Sequence, residues 1–172
     1  MILVGMLATA STARAQGAEF SLGGGLSIPS GTFSDGSKTG WHGLAAVSFV
    51  PTGSPVGIQI DGAYNQFKSK VTGSDAKLQL ISGTANAVYK FKTSEGSRFR
   101  PYLIGGGGVY NAKPKNPTGT SQTKFGFNAG AGFDIKAGGV GLFAESRFHD
   151  VFTDGPNLKY IPITVGVRLG GH

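Results

Sequence analysis

From Ala18 onward the chain alternates apolar and polar residues with period two, the mark of strands that present one dry and one polar face. Between 123 and 136, Phe125, Phe127, Ala129, Ala131, Phe133 and Ile135 share one side. Lys124, Gly126, Asn128, Gly130, Gly132, Asp134 and Lys136 share the other. The stretch 56–67 repeats the pattern, with Val56, Ile58, Ile60 and Tyr64 opposing Gly57, Gln59, Asp61 and Asn65. In 159–169, Ile161, Ile163, Val165, Val167 and Leu169 oppose Thr164, Gly166 and Arg168. Eight such runs are readable, at 18–28, 40–50, 56–67, 77–91, 99–110, 123–136, 140–149 and 159–169. They predict an all-β chain folded as an eight-stranded antiparallel up-and-down barrel.

The connections alternate in character. Those at 29–39, 68–76, 111–122 and 150–158 are longer and rich in Gly, Ser, Thr, Pro, Asp and Lys, whereas 51–55 and 137–139 are tight and 92–98 is intermediate. Long loops at one end and short turns at the other is the arrangement of outer-membrane barrels, whose long loops face outward. An even strand number then returns both termini to the periplasmic side.

Alternation alone leaves two barrels open: a transmembrane one with apolar residues outside, and a secreted, soluble, lipocalin-like one that binds an apolar ligand inside. The polar parity favours the first. Solvent-facing strand positions usually carry many Thr, Lys, Glu and Arg, but here Gly, Ser, Asn and Ala dominate, with isolated charges, which suits the crowded interior of a narrow barrel. The charges of inward parity are Glu19, Asp61, Lys90, Asp134, Glu145, Arg147 and Arg168. A buried ion is costly unless paired, so Glu145 and Arg147, two apart on one face, are expected to join a polar network with neighbouring strands that plugs the barrel. On the apolar parity, Trp41 and Phe49, and Phe125 and Phe133, lie eight residues apart. That separation spans roughly 20 Å along a membrane normal, near the lipid band of about 25 Å. Tyr64 and Phe148 are expected in the outer aromatic girdle, and Phe20, Tyr89 and Phe91 in the periplasmic one. The run from Pro101 to Tyr110 shows no parity and leaves open whether Tyr102 or Leu103 faces lipid.

Thirty glycines with 15% charged residues fit β-structure better than a helical protein. The net charge of +7 raises the question of nucleic acid. Its lysines are dispersed between apolar runs, without aromatic interleaving or a basic helix, so no nucleic-acid partner is expected. Cysteine is absent, which excludes a disulfide framework. Residues 1–10 are apolar and Ala13-Arg14-Ala15 has the small-x-small pattern of a signal-peptidase site, so 1–15 is read as a signal peptide and 16–172 as the barrel domain. No later segment approaches the roughly 20 apolar residues of a spanning helix, so a membrane location requires a barrel.

The stretch Phe99-Arg100-Pro101-Tyr102-Leu103-Ile104-Gly105-Gly106-Gly107-Gly108-Val109-Tyr110 resembles the P-Y-x-x-G-x-G strand of the outer-membrane β-barrel domain family, which includes OmpA-like, OmpX-like and porin family proteins. Residues 127–134 and 142–149 resemble that family's next two strands. The resemblance implies a bacterial outer-membrane location and the assembly machinery as a partner. Where such barrels usually end on an aromatic residue that serves assembly, this chain has Leu169.

Catalysis has little to draw on, and no catalytic residue, metal or cofactor is expected. Ser146 and His149 are the one pair relevant to a lipid acyl hydrolase, and they lie on opposite parities. His42 and His172 read as isolated strand-end and tail residues. Gly23–Gly25 and Gly105–Gly108 lack the Lys-Ser/Thr of a phosphate loop. Lys68, Lys70, Lys113 and Lys115, in the long connections, are candidate contacts to lipopolysaccharide phosphates. The function expected is that of a non-enzymatic structural or surface-interaction protein of the outer membrane, with the loops' partner undefined.

Overall fold

The structure, a computed structural model, describes residues 18–71, 76–94, 96–115 and 120–170. The leader expected at 1–15 and the tail residue His172 lie outside the described residues. The elements are β1 (Ala18–Ser30), a single helical turn α1 (Phe33–Gly36), β2 (Ser37–Phe49), β3 (Val56–Ser69), β4 (Lys77–Lys90), β5 (Phe99–Lys115), β6 (Gln122–Ala137), β7 (Val140–Val151) and β8 (Leu158–Gly170). Every strand pairs antiparallel with its sequence neighbour, and β1 pairs with β8, closing an eight-stranded up-and-down barrel. Closure removes both free edges, so the backbone N–H and C=O groups of the wall find partners without water.

The period-two pattern becomes two opposite surfaces. Phe125 is 71% exposed, Ile60 64% and Val165 61%, while their chain neighbours Asp61 and Thr164 are buried. Apolar rows therefore cover the outside and the polar parity fills the inside, the reverse of a soluble ligand-binding barrel. In water so continuous an apolar surface would drive association; in a bilayer it is solvated by acyl chains. On β5 the outward positions from Phe99 to Val109 span roughly 25 Å along the normal, at about 3.3 Å per residue and a tilt near 40°, the height of an outer-membrane lipid band.

β5 also acquires a parity. Tyr102 lies opposite Lys90 on β4 and Gly132 on β6, both inward positions, so it points inside and is 1% exposed, whereas Leu103 is 50% exposed on the outside. The glycines at 105–108 had erased this signal from the sequence.

The expected contrast between long loops and short turns is weak. The loop-side connections are only 31–36, 70–76, 116–121 and 152–157, against 50–55, 91–98 and 138–139 at the end that carries the termini. The strands run further toward the loop side than the apolar pattern does. Lys113, Pro114 and Lys115 read as loop, yet they pair with Gln79, Leu78 and Lys77. In a closed wall, pairing with the next strand holds residues whose composition alone would not keep them extended.

Candidate functional site

The interior is stacked in layers, and each layer follows from which residues share inward parity. Nearest the termini, Lys90 Nζ donates to both carboxylate oxygens of Glu19 at 2.8 and 2.7 Å, and Arg168 Nη1 lies 2.8 Å from Asp134. These ions balance, two acids against two bases. Above them, Tyr102, Val88 and Ile104 form a buried apolar cluster. The Arg168 guanidinium lies 5.3 Å from the centroid of the Tyr102 ring and 5.0 Å from that of Phe143, where ring faces attract a cation.

Tyr102 connects this floor to the centre, because its hydroxyl donates to Glu145 Oε2 at 2.9 Å. Arg147 bridges Glu145 and Asp61, with its Nη1 2.7 Å from Asp61 Oδ2. Asp61 accepts further bonds from Gln59, Thr84 and Asn86, so four donors converge on its carboxylate, three of them on Oδ2. Asn128 extends the chain to Asn86 at 2.8 Å. All seven inward charges read from the sequence thus lie inside, in two ion-paired groups joined through Tyr102.

Toward the loop side, residues outside the expected charge network complete the filling. His42, read as a strand-end residue, is buried and hydrogen-bonded to Ser27 (3.1 Å) and Thr164 (2.9 Å). Its even parity, shared with Ala46 and Ser48 on β2, was the available signal. His149 stacks on Tyr160 at 4.7 Å and hydrogen-bonds Tyr110 at 2.9 Å. Phe67, Leu80, Tyr110, Val151, Leu158 and Tyr160 then cap the barrel as an apolar cluster, with Phe33 of α1 packed against it. Between the central ions and this cap, the space lined by His42, Asn65, Arg147 and His149 is about 10 Å³, room for one water at most.

Inward glycines make the filling possible. A Cβ on Gly132 would lie 2.6 Å from Cζ and Oη of Tyr102, and one on Gly126 would lie 2.9 Å from the Tyr110 ring. Each glycine is the recess that lets a tyrosine cross the lumen.

Ser146 and His149 do not meet: Ser146 is exposed on the outer surface, while His149 is buried inside. No hydrolase dyad is formed by them.

The predicted girdle residues all have outward parity and fall into two tiers. Phe20, Phe49, Tyr89, Phe91 and Phe133 lie toward the terminal end, where Phe99 joins them at 5.1 Å from Phe133. Trp41, Tyr64, Phe125 and Phe148 lie toward the loops; Trp41 and Tyr64 are 5.4 Å apart, and Phe127 with Phe152 extends this tier. Tyr64, Phe20, Phe133 and Phe148 are half-buried among neighbouring side chains, and the others are exposed.

Beyond the outer tier stands a row of lysines. Lys38 lies directly opposite Lys68, Lys68 opposite Lys77, and Lys77 opposite Lys115, across β2, β3, β4 and β5. All four are exposed, and no ion pair joins any of them to a described carboxylate. Lys38 enters the row through a register shift between Lys38 and Trp41, a bulge that turns its side chain from inward to outward parity. Lys113 lies one outward position below Lys115, and Lys70 follows the end of β3, its Nζ donating to the Ser34 carbonyl. Lys68 and Lys115 are among the expected headgroup contacts; Lys38 and Lys77 join them because the register makes them neighbours.

A family model described as outer membrane protein beta-barrel domain matches residues 1–169. The chain belongs to that family. Solved structures show the same fold in other members of the outer-membrane barrel class. Neisserial surface protein A is 21% identical, with a TM-score of 0.73 over 89% of this chain and 96% of that one. Ail of Yersinia pestis, solved with the heparin analogue sucrose octasulfate, is 18% identical, with a TM-score of 0.55 over 88% and 99%. The N-terminal barrel domain of Pseudomonas aeruginosa OprF is 18% identical, with a TM-score of 0.55 over 90% and 98%. A search of curated proteins finds no match.

As a member of the outer membrane protein beta-barrel domain family, the chain is a membrane protein of the outer membrane of a Gram-negative bacterium. Among its described residues no helix is long and apolar enough to cross a membrane, and the strands do the crossing.

Proposed function

We propose that this barrel, exported by the leader at 1–15, is a non-enzymatic anchor whose plugged interior fixes its shape and whose lysine row holds anionic headgroups of lipopolysaccharide in the outer leaflet. The single observation that carries the reading is the register Lys38–Lys68–Lys77–Lys115. Like charges directly opposite one another destabilise a sheet, so four in succession without an ion pair to any described carboxylate are a liability unless an anion lies across them. Near an anionic membrane surface each lysine contributes about 1 kcal/mol, screened by salt. The row lies four residues beyond Tyr64 on β3 and beyond Ile81 on β4, roughly 10 Å above the apolar band, which is headgroup rather than acyl-chain depth. The aromatic tiers fit the two membrane interfaces, and the ion-paired layers fit a structural plug rather than a channel.

The test uses the refolded chain and its Lys38→Gln/Lys68→Gln/Lys77→Gln/Lys115→Gln variant, titrated with lipopolysaccharide in neutral micelles at low and high salt. The native chain should bind with strong salt dependence, and soluble sucrose octasulfate should compete. The quadruple variant should lose most of both effects. Unchanged, salt-dependent binding by the variant would remove the headgroup role.

A further inference from the structure

The end of the barrel that carries the termini opens into a cavity of about 630 Å³ between residues 50–55 on one side and 91–94 and 96–98 on the other. Its size is within the roughly 300–1,000 Å³ of small-molecule sites. We propose that this mouth, on the periplasmic side, is a binding site for a small multivalent anion bearing carboxylate or phosphate groups.

Charge is the first argument. Arg98, Arg100, Lys92 and Lys136 line the cavity, and among the described residues its carboxylate is Glu19. Glu19 is already engaged: it forms the floor with Lys90, where both of its oxygens accept from the ammonium. Asp134, the next carboxylate inward, is held at 2.8 Å by Arg168. The floor is therefore neutral, and the cations above it have no ion pair with any described carboxylate. Sequence parity explains why they converge: Arg100 lies opposite Asp134 and shares its inward face, and Lys136 is the next inward position after Asp134 on β6.

Rigidity is the second. The Lys136 N–H donates to the Arg98 carbonyl at 2.9 Å, the Phe91 N–H to the Pro101 carbonyl at 3.0 Å, and the Lys90 N–H to the Pro55 carbonyl at 2.7 Å. These bonds tie the walls of the mouth to the barrel before any ligand arrives, which lowers the ordering cost of binding. The chemistry is the third. Two guanidiniums two residues apart on one wall present planar forks suited to paired oxygens, and the ammonium of Lys136 adds a point charge on the adjacent strand. An anion bearing several oxygens can meet more than one of these cations at once, which a monovalent ion cannot.

The test measures amide shift changes and calorimetric binding for the full chain in neutral maltoside micelles at low salt, with tripolyphosphate and citrate as probes. Saturable binding should move the amides of Ser97, Arg98, Arg100 and Lys136, and the tighter probe identifies phosphate or carboxylate as the preferred group. Arg98→Ser/Arg100→Gln/Lys136→Gln should weaken binding by at least about tenfold. Arg98→Ser/Lys136→Gln, which leaves the strand residue Arg100 intact, should weaken it less and guards against a folding defect, checked by heat-modified migration on gels. The quadruple lysine-row variant should bind as the native chain does, so failure of the headgroup reading would leave this one standing. Absence of saturable binding of both probes up to about 10 mM, or binding lost in the lysine-row variant but kept in the mouth variants, would overturn it.

Discussion

Arg147 on β7 donates from Nη1 to Asp61 on β3 at 2.7 Å, a bond between strands four apart in either direction around an eight-stranded wall. It spans the lumen. The bond ties opposite walls together at mid-height, and Glu145 completes it from Arg147's own strand. Burying three charges is costly, and the arrangement is tolerated because Asp61 accepts from four donors and Glu145 from two.

Removing the arginine alone should therefore hurt far more than removing the whole group. Arg147→Met leaves Asp61 and Glu145 facing each other without a cation and should cost about 3–5 kcal/mol. Adding Asp61→Asn and Glu145→Gln should recover most of that loss. Urea unfolding of the three variants in lipid vesicles checks both steps.

The tyrosines depend on glycine in the same lumen. Gly132→Val places a branched side chain where the Tyr102 ring lies and should cost about 1–3 kcal/mol. Tyr102→Leu on that background should restore part of the loss, although alone it removes the donor to Glu145. The same unfolding experiment shows whether the two changes are coupled.

On the outer surface the penalty should follow depth. Val165, central among the outward positions of β8, should cost about 2–4 kcal/mol on change to Arg. Thr123, beyond Phe125 on the loop side of β6, should cost no more than about 1 kcal/mol for the same change. Equal costs at the two sites would mean that the band does not lie where the apolar rows end.

Alternation makes strand and face legible together. Phe125, Phe127 and Phe133 against Asn128 and Asp134 give both strand and face, because period two leaves no other way to separate them. The seven inward charges came from the same rule. Parity does not carry register, so the pairing of Lys38 with Lys68 through a bulge, and the reach of Arg147 to Asp61, were invisible. Glycine hides parity altogether, which is why β5 was unreadable until Lys90 and Gly132 fixed Tyr102. Composition also misled at the loop side, where Lys113 to Lys115 look like loop but belong to a paired strand.

The apolar rows of the barrel touch hydrocarbon. The chain has no cysteine, so single cysteines at Ile60, Val165 and Lys77 can each carry one fluorophore in barrels refolded into vesicles. Bromine on the acyl chains should quench the probes at 60 and 165 and spare the one at 77, while an aqueous quencher should do the opposite. Probes at 60 and 165 open to the aqueous quencher and untouched by brominated lipid would mean that these rows do not face the bilayer.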